Sequence, residues 1–161
     1  MNDTDVAREA PAVAATPAPW HLWAIGIASL LWNCFGGYDY VMSQTRNAEY
    51  MRMMTEPFGV DTQAAVEYFD GFPLWADTAW ALGVWGAVAG SVLLLLRSRY
   101  ALHAFVVSLV GIVASLAYSY ANPLPGLTDS GFATVMPIVI LAITALLAWY
   151  ARRMAAAGVL R

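Results

Sequence analysis

Residues 74–121 read LWADTAWALGVWGAVAGSVLLLLRSRYALHAFVVSLVGIVASLAYSYA, and the fold turns on how this stretch is read. Two apolar runs, Leu74–Leu96 and Tyr100–Ala121, flank Arg97, Ser98 and Arg99. A helix needs about 20 largely apolar residues to cross the hydrocarbon core of a bilayer, and both runs reach that length. The intervening turn is so short that the pair must fold back as a tight antiparallel hairpin.

The pattern repeats on either side. Residues Trp20–Met42 form another apolar run, and so do Phe132–Ala151. Between the third and fourth runs, Asn122–Gly131 contains Pro123, Pro125 and Gly126, which end a helix and turn the chain. Residues 1–19, rich in Ala, Pro and Thr, lack periodicity and are expected to form a disordered tail. The expected fold is an all-α membrane protein, an up-down bundle of four transmembrane helices. It comprises one domain over 20–161, with helices at about 20–42, 74–96, 100–121 and 132–151 and an outer loop at 43–73.

Composition supports lipid as the solvent. The chain is 60% hydrophobic and 12% charged, with mean hydropathy +0.59. Soluble domains hold about 45–50% apolar and about 25% charged residues. The net charge of −3 and the absence of any basic block exclude a nucleic-acid surface. Cys34 is the single cysteine, so no intrachain disulfide can form. Every basic residue is an arginine: six (Arg8, Arg97, Arg99, Arg152, Arg153, Arg161) fall on the side of the termini and two (Arg46, Arg52) on the other. The positive-inside rule then places both termini in the cytoplasm.

Helices in lipid associate by close packing of small residues and by hydrogen bonds. Gly86 and Gly90 in the second long helix, and Gly111 and Ser115 in the third, have the small-xxx-small spacing of such seams. In the outer loop, Val60–Phe69 has the spacing of a short amphipathic helix capped by Asp61 or Thr62.

Polar residues inside apolar runs are the candidates for chemistry, because each is costly to bury there. Asn33 lies past the middle of the first run, and Asp39 and Asp77 approach the outer ends of the first and second. Together with Tyr38 and Tyr118 they form the candidate ligand or proton site. Asp77 also suits the first turn of its helix, where the dipole favours an anion. His21 and His103 lie near the starts of the first and third helices, where a haem axial-ligand role is the remote reading. Met51, Met53 and Met54 flank Arg52, whose charge opposes a thioether copper site. Neither a nucleophile–base–acid arrangement nor a phosphate-binding glycine loop nor metal-ligand spacing is present, so neither an enzyme nor a bound metal or cofactor is expected.

The stretch Leu31-Trp32-Asn33-Cys34-Phe35-Gly36-Gly37-Tyr38-Asp39-Tyr40 carries a resemblance. Together with Pro73-Leu74-Trp75, the run Gly90–Leu96 before a basic turn, Met136-Pro137-Ile138 and Trp149–Arg153, it resembles a family of small four-helix bacterial inner-membrane proteins. The resemblance extends from Trp20 to the C-terminal end. Members are often labelled "sugar transporter"; the family implies a multi-pass location in the bacterial inner (plasma) membrane and supplies no site residues.

Two functions follow as expectations. The first is a structural or accessory subunit acting by helix contacts, as a homo-oligomer or within a larger membrane complex. The alternative is a small-solute or proton permease subunit using Asp39 and Asp77.

Overall fold

The computed structural model describes residues 17–124 and 131–161. Residues 1–16 of the expected tail (1–19) and the residues Pro125, Gly126 and Asp129 lie outside the described residues. Among those described, all regular structure is helical. It comprises α1 (Trp20–Gln44), α2 (Ala48–Thr55), α3 (Thr62–Asp70), α4 (Leu74–Leu95), α5 (Tyr100–Ala121) and α6 (Gly131–Ala156), with a 3-10 turn at Glu56–Phe58.

Three of these helices, α4, α5 and α6 over Thr134–Ala156, are long and apolar enough to cross a membrane. Only 33%, 22% and 22% of their most apolar stretches are buried, so most of those side chains face outward. Apolar surface on that scale suits contact with lipid rather than water. The first helix is as long, but His21, Asn33, Asp39 and Gln44 dilute its apolar character, and it does not reach the level of the other three.

Helix ends follow local chemistry. Pro19 and Pro73, both extended, precede α1 and α4, where a missing N–H costs nothing. Asn47 and Asp61 cap α2 and α3 by accepting from Tyr50 N at 3.0 Å and Gln63 N at 2.8 Å. Both α1 and α4 close with a left-handed residue that is an arginine, Arg46 at φ 50° and Arg97 at φ 57°. The pattern around Arg97 is the paired Schellman closure: Ser98 N donates to Leu93 O (2.8 Å) and Arg97 N to Leu94 O (3.0 Å). Arg97 also donates from Nε to Val159 O at 3.2 Å, and Arg46 from a guanidinium N–H to Ser43 O at 2.5 Å. At both turns the guanidinium adds a hydrogen bond that a glycine could not make.

The tightest seam joins α4 to α5. A Cβ on Gly111 would lie 2.5 Å from Gly83 N and 2.6 Å from Ala79 O, and one on Gly86 would lie 3.0 Å from Ser108 N. Ser108 Oγ donates to Gly83 O at 2.5 Å. Helix α1 lies antiparallel along the other side of α4, with Asn33 Nδ2 donating to Ser91 Oγ (2.9 Å) and Ala87 O (3.3 Å). Leu22, Leu94, Phe105, Leu147 and Ala151 bring α1, α4, α5 and α6 together in one apolar cluster, with Val159 and Leu160 against it. Backbone bonds from Arg99 N to Arg161 O and from Arg161 N to Arg97 O, both 2.8 Å, fasten the last residues across the α4–α5 turn. This end, with Arg97, Arg99, Arg152, Arg153 and Arg161, is the basic end. Every described aspartate and glutamate belongs to the half that runs from Asp39 to Asp77, the acidic end.

Candidate functional site

Away from the basic cluster, α1 and α6 diverge and leave a cavity of about 680 Å³. Ligand sites in proteins span roughly 300–1,000 Å³. Trp32, Asn33, Phe35 and Asp39 enter it from α1, Val84 and Ala87 from α4, Ile112 and Ser115 from α5, and Pro137 and Ile140 from α6. The loop helices roof it with Tyr50 and Met54 from α2 and Tyr68 and Phe69 from α3. Trp32, Phe35 and Ile140 line the cavity and are also exposed, so it opens to the surroundings between α1 and α6.

Among the described residues, Asp39 is the sole ionisable acid or base of the lining apart from tyrosine phenols. Its Oδ1 accepts from Tyr50 Oη at 2.6 Å. Tyr50 is buried, and its edge meets the ring of Tyr38 at 5.6 Å between centroids. Burial first, and then the hydrogen bond to Asp39, push the Tyr50 phenol well above its ordinary range. On α3, burial raises the phenol of Tyr68, partly offset by a hydrogen bond with Ser119. An aromatic wall backs the roof: Phe69 stacks on Trp80 at 5.4 Å, and Phe72 packs edge-on to Tyr118 at 4.9 Å.

The residues singled out in the sequence go to different places. Asn33 and Asp39 share the cavity. Asp77 does not line it; it accepts from Gln44 Nε2 on the seam between α1 and α4. Tyr38 is half exposed at the edge of Tyr50, and Tyr118 joins Phe72 and Trp75 while donating weakly to Gly71 O at 3.4 Å. Gly86, Gly90 and Gly111 sit in the α4–α5 seam, against Ser108, Phe105 and Gly83, whereas Ser115 faces the cavity. Tyr50, the partner of Asp39, was not evident from the sequence. Its signal was Asn47 three residues earlier, a cap that starts an unexpected helix.

The two histidines are not paired: Nδ1 of His21 lies 2.5 Å from Tyr150 Oη, and His103 packs on Tyr100. Among the described residues no group of three or more His, Cys, Asp or Glu could hold a metal ion. Met51 is buried under the loop with Val60, Ala65 and Leu124, apart from exposed Met53 and Met54. Cys34 is exposed on α1.

No protein-family model, curated protein or solved structure matches the chain.

Proposed function

We propose that this chain is a four-span membrane protein that binds a small, largely apolar molecule between its helices, as the binding unit of a permease. The cavity roofed by α2 and α3 is the observation that carries this reading. Its walls are mostly apolar, and its few polar groups converge near Asp39, the combination that marks small-molecule sites.

The four-span arrangement is part of the proposal. Helix α1 has the length of a span, and its polar groups turn inward: Asn33 bonds to α4, and Asp39 bonds to Tyr50. A polar residue satisfied inside the bundle is compatible with a membrane crossing. The arginines of the basic end favour the cytoplasmic side, and a bacterial inner membrane suits the family resemblance. The small-residue stripes of α4 and α5 are occupied by one another, so they are not the surface through which an accessory subunit would meet a partner.

The test uses purified protein in detergent micelles and the neutral fluorophore N-phenyl-1-naphthylamine. Binding should brighten the probe and quench tryptophan, and Ser115→Phe, which projects a ring into the cavity, should weaken both while helicity is retained. Equal probe binding by wild type and Ser115→Phe would overturn the reading. For topology, single cysteines replacing Pro17 and Thr45, one on each side of α1, in a Cys34→Ser background should react with an impermeant maleimide from opposite sides of the membrane. Labelling of both from one side would refute four spans.

A further inference from the structure

We infer that the molecule this cavity accepts is an apolar organic cation, its charge facing Asp39 and its body against the aromatic wall. The inference rests on the cavity-binding reading above and adds the sign of the ligand's charge.

The argument begins with what the lining contains. Among the described residues one carboxylate enters the cavity, and no arginine, lysine or histidine does. The arginines of the loop are committed elsewhere: Arg46 bonds through Nε to Asp70 Oδ1 at 2.9 Å, with its guanidinium 5.5 Å from the Phe69 ring centroid, and Arg52 on α2 pairs with Glu49 at 2.9 Å. Among the described residues Asp39 therefore meets a single donor, the neutral hydroxyl of Tyr50. Its Oδ2 has no hydrogen-bond partner among the described residues. A half-buried carboxylate with one neutral partner is under-compensated, and a cation brought into the cavity supplies the missing counter-charge. An anionic ligand would meet a like charge, with no basic group among the described lining residues to offset it.

The remaining walls select for the body of the ligand. Trp32, Phe35, Tyr50, Phe69 and Trp80 present aromatic rings to the same space. Aromatic faces attract cations, organic ammonium and phosphonium groups included, and also favour flat apolar substituents. A small inorganic cation would leave those walls unfilled and would find only one carboxylate, too few oxygen ligands for a hard metal ion. Sugars, rich in hydroxyls, would need more polar partners than Asn33, Ser115, Ser119 and Thr144 provide around so large an apolar lining.

The experiment compares two probes of nearly the same shape and opposite charge, tetraphenylphosphonium and tetraphenylborate. Each is titrated calorimetrically into the full chain in a non-ionic detergent, with empty micelles as the blank. Wild type should bind the phosphonium more tightly than the borate by at least about tenfold, a difference of about 1.4 kcal/mol. Asp39→Asn should abolish that preference, and Asp77→Asn, outside the cavity, should preserve it. Retention of N-phenyl-1-naphthylamine binding by Asp39→Asn shows that the variant keeps its cavity. If the neutral probe binds wild type but phosphonium and borate bind alike, the charge inference fails and the cavity reading stands. If the preference survives Asp39→Asn, the inference also fails, because another group sets the sign. If no probe binds, both readings fail together.

Discussion

Replacing Gly111 by alanine tests whether the α4–α5 seam is as close as described. The added Cβ would stand 2.5 Å from Gly83 N, 2.6 Å from Ala79 O and 3.0 Å from Gly83 Cα. All three are backbone atoms, so no rotamer change can relieve the overlap. The helices would have to separate by roughly 1 Å, which costs dispersion contacts along the seam. Forced overpacking of this kind costs about 1–3 kcal/mol. Separation also stretches the bond from Ser108 to Gly83 O, worth about 0.6 kcal/mol in a membrane protein. Against this, alanine gains about 0.5–1 kcal/mol of helix propensity over glycine. The net expectation is a loss of about 1–3 kcal/mol, read from unfolding in mixed micelles as the dodecyl sulfate fraction rises. Two controls order the series. Gly26→Ala meets only the tip of the Leu95 side chain, which can rotate away, and should cost less. Gly36→Ala meets no heavy atom within 4 Å and should be neutral or stabilising. If Gly111→Ala proves as stable as Gly36→Ala, the two helices are spaced more widely than this seam allows.

Three further outcomes follow from named contacts. Asn33→Leu removes the bonds to Ser91 and Ala87 but leaves Ser91 bonded to Ala87 O at 3.0 Å; the loss should be about 0.5–1.5 kcal/mol in the same unfolding assay. Arg97→Gly relieves a left-handed backbone but loses the bond to Val159 O, so its stability should stay within about 1 kcal/mol of wild type. Arg97→Val should be destabilised by more than that, since a β-branched residue tolerates positive φ poorly. The Tyr50 phenol is raised in the folded state, so its contribution to stability is complete below the ordinary phenol value of about 10 and is lost as pH climbs through the raised one. Tyr50→Phe should therefore lose less stability than wild type between neutral and strongly alkaline pH, measured by thermal unfolding across that range.

Much of the fold was legible because apolar runs and their breakers are local. Runs of the required length marked α4, α5 and α6, while Pro73 and the Arg97–Arg99 turn marked where two of them begin or end. The helix over Thr62–Asp70 was legible from Asp61 and from the spacing of Ala65, Val66 and Phe69. Helix α2 was not, because Ala48–Thr55 is nearly balanced between apolar and polar residues and its order comes from burying Tyr50 and Met51. The site was half legible. Asn33 and Asp39 announce themselves as polar groups in an apolar run, but nothing in the spacing shows that Asp39 pairs with Tyr50 and Asp77 with Gln44. Those pairings depend on the rotation of α1 against α4 and on how the loop folds back, and both are tertiary facts.

The cavity itself follows from an uneven distribution of side-chain size. Glycines at 83, 86 and 90 on α4 and at 111 on α5 let those backbones approach until they touch, so the two helices act as one slab. On one flank, α1 reaches this slab through Gly26, Ser29, Asn33 and Gly37, all buried. On the other, α6 meets α5 through Leu147, Ala148 and Ala151 at the basic end. Toward the acidic end, Trp32 and Phe35 hold α1 away, while Pro137 interrupts the hydrogen-bond ladder of α6. The helices are thus pinned at the end where His21 meets Tyr150 and splayed at the end where Asp39 meets Tyr50. A wedge of that shape leaves a space open between α1 and α6, which lipid or a ligand can enter. On the proposed reading, the carboxylate of Asp39 then favours a cationic ligand over a neutral lipid chain.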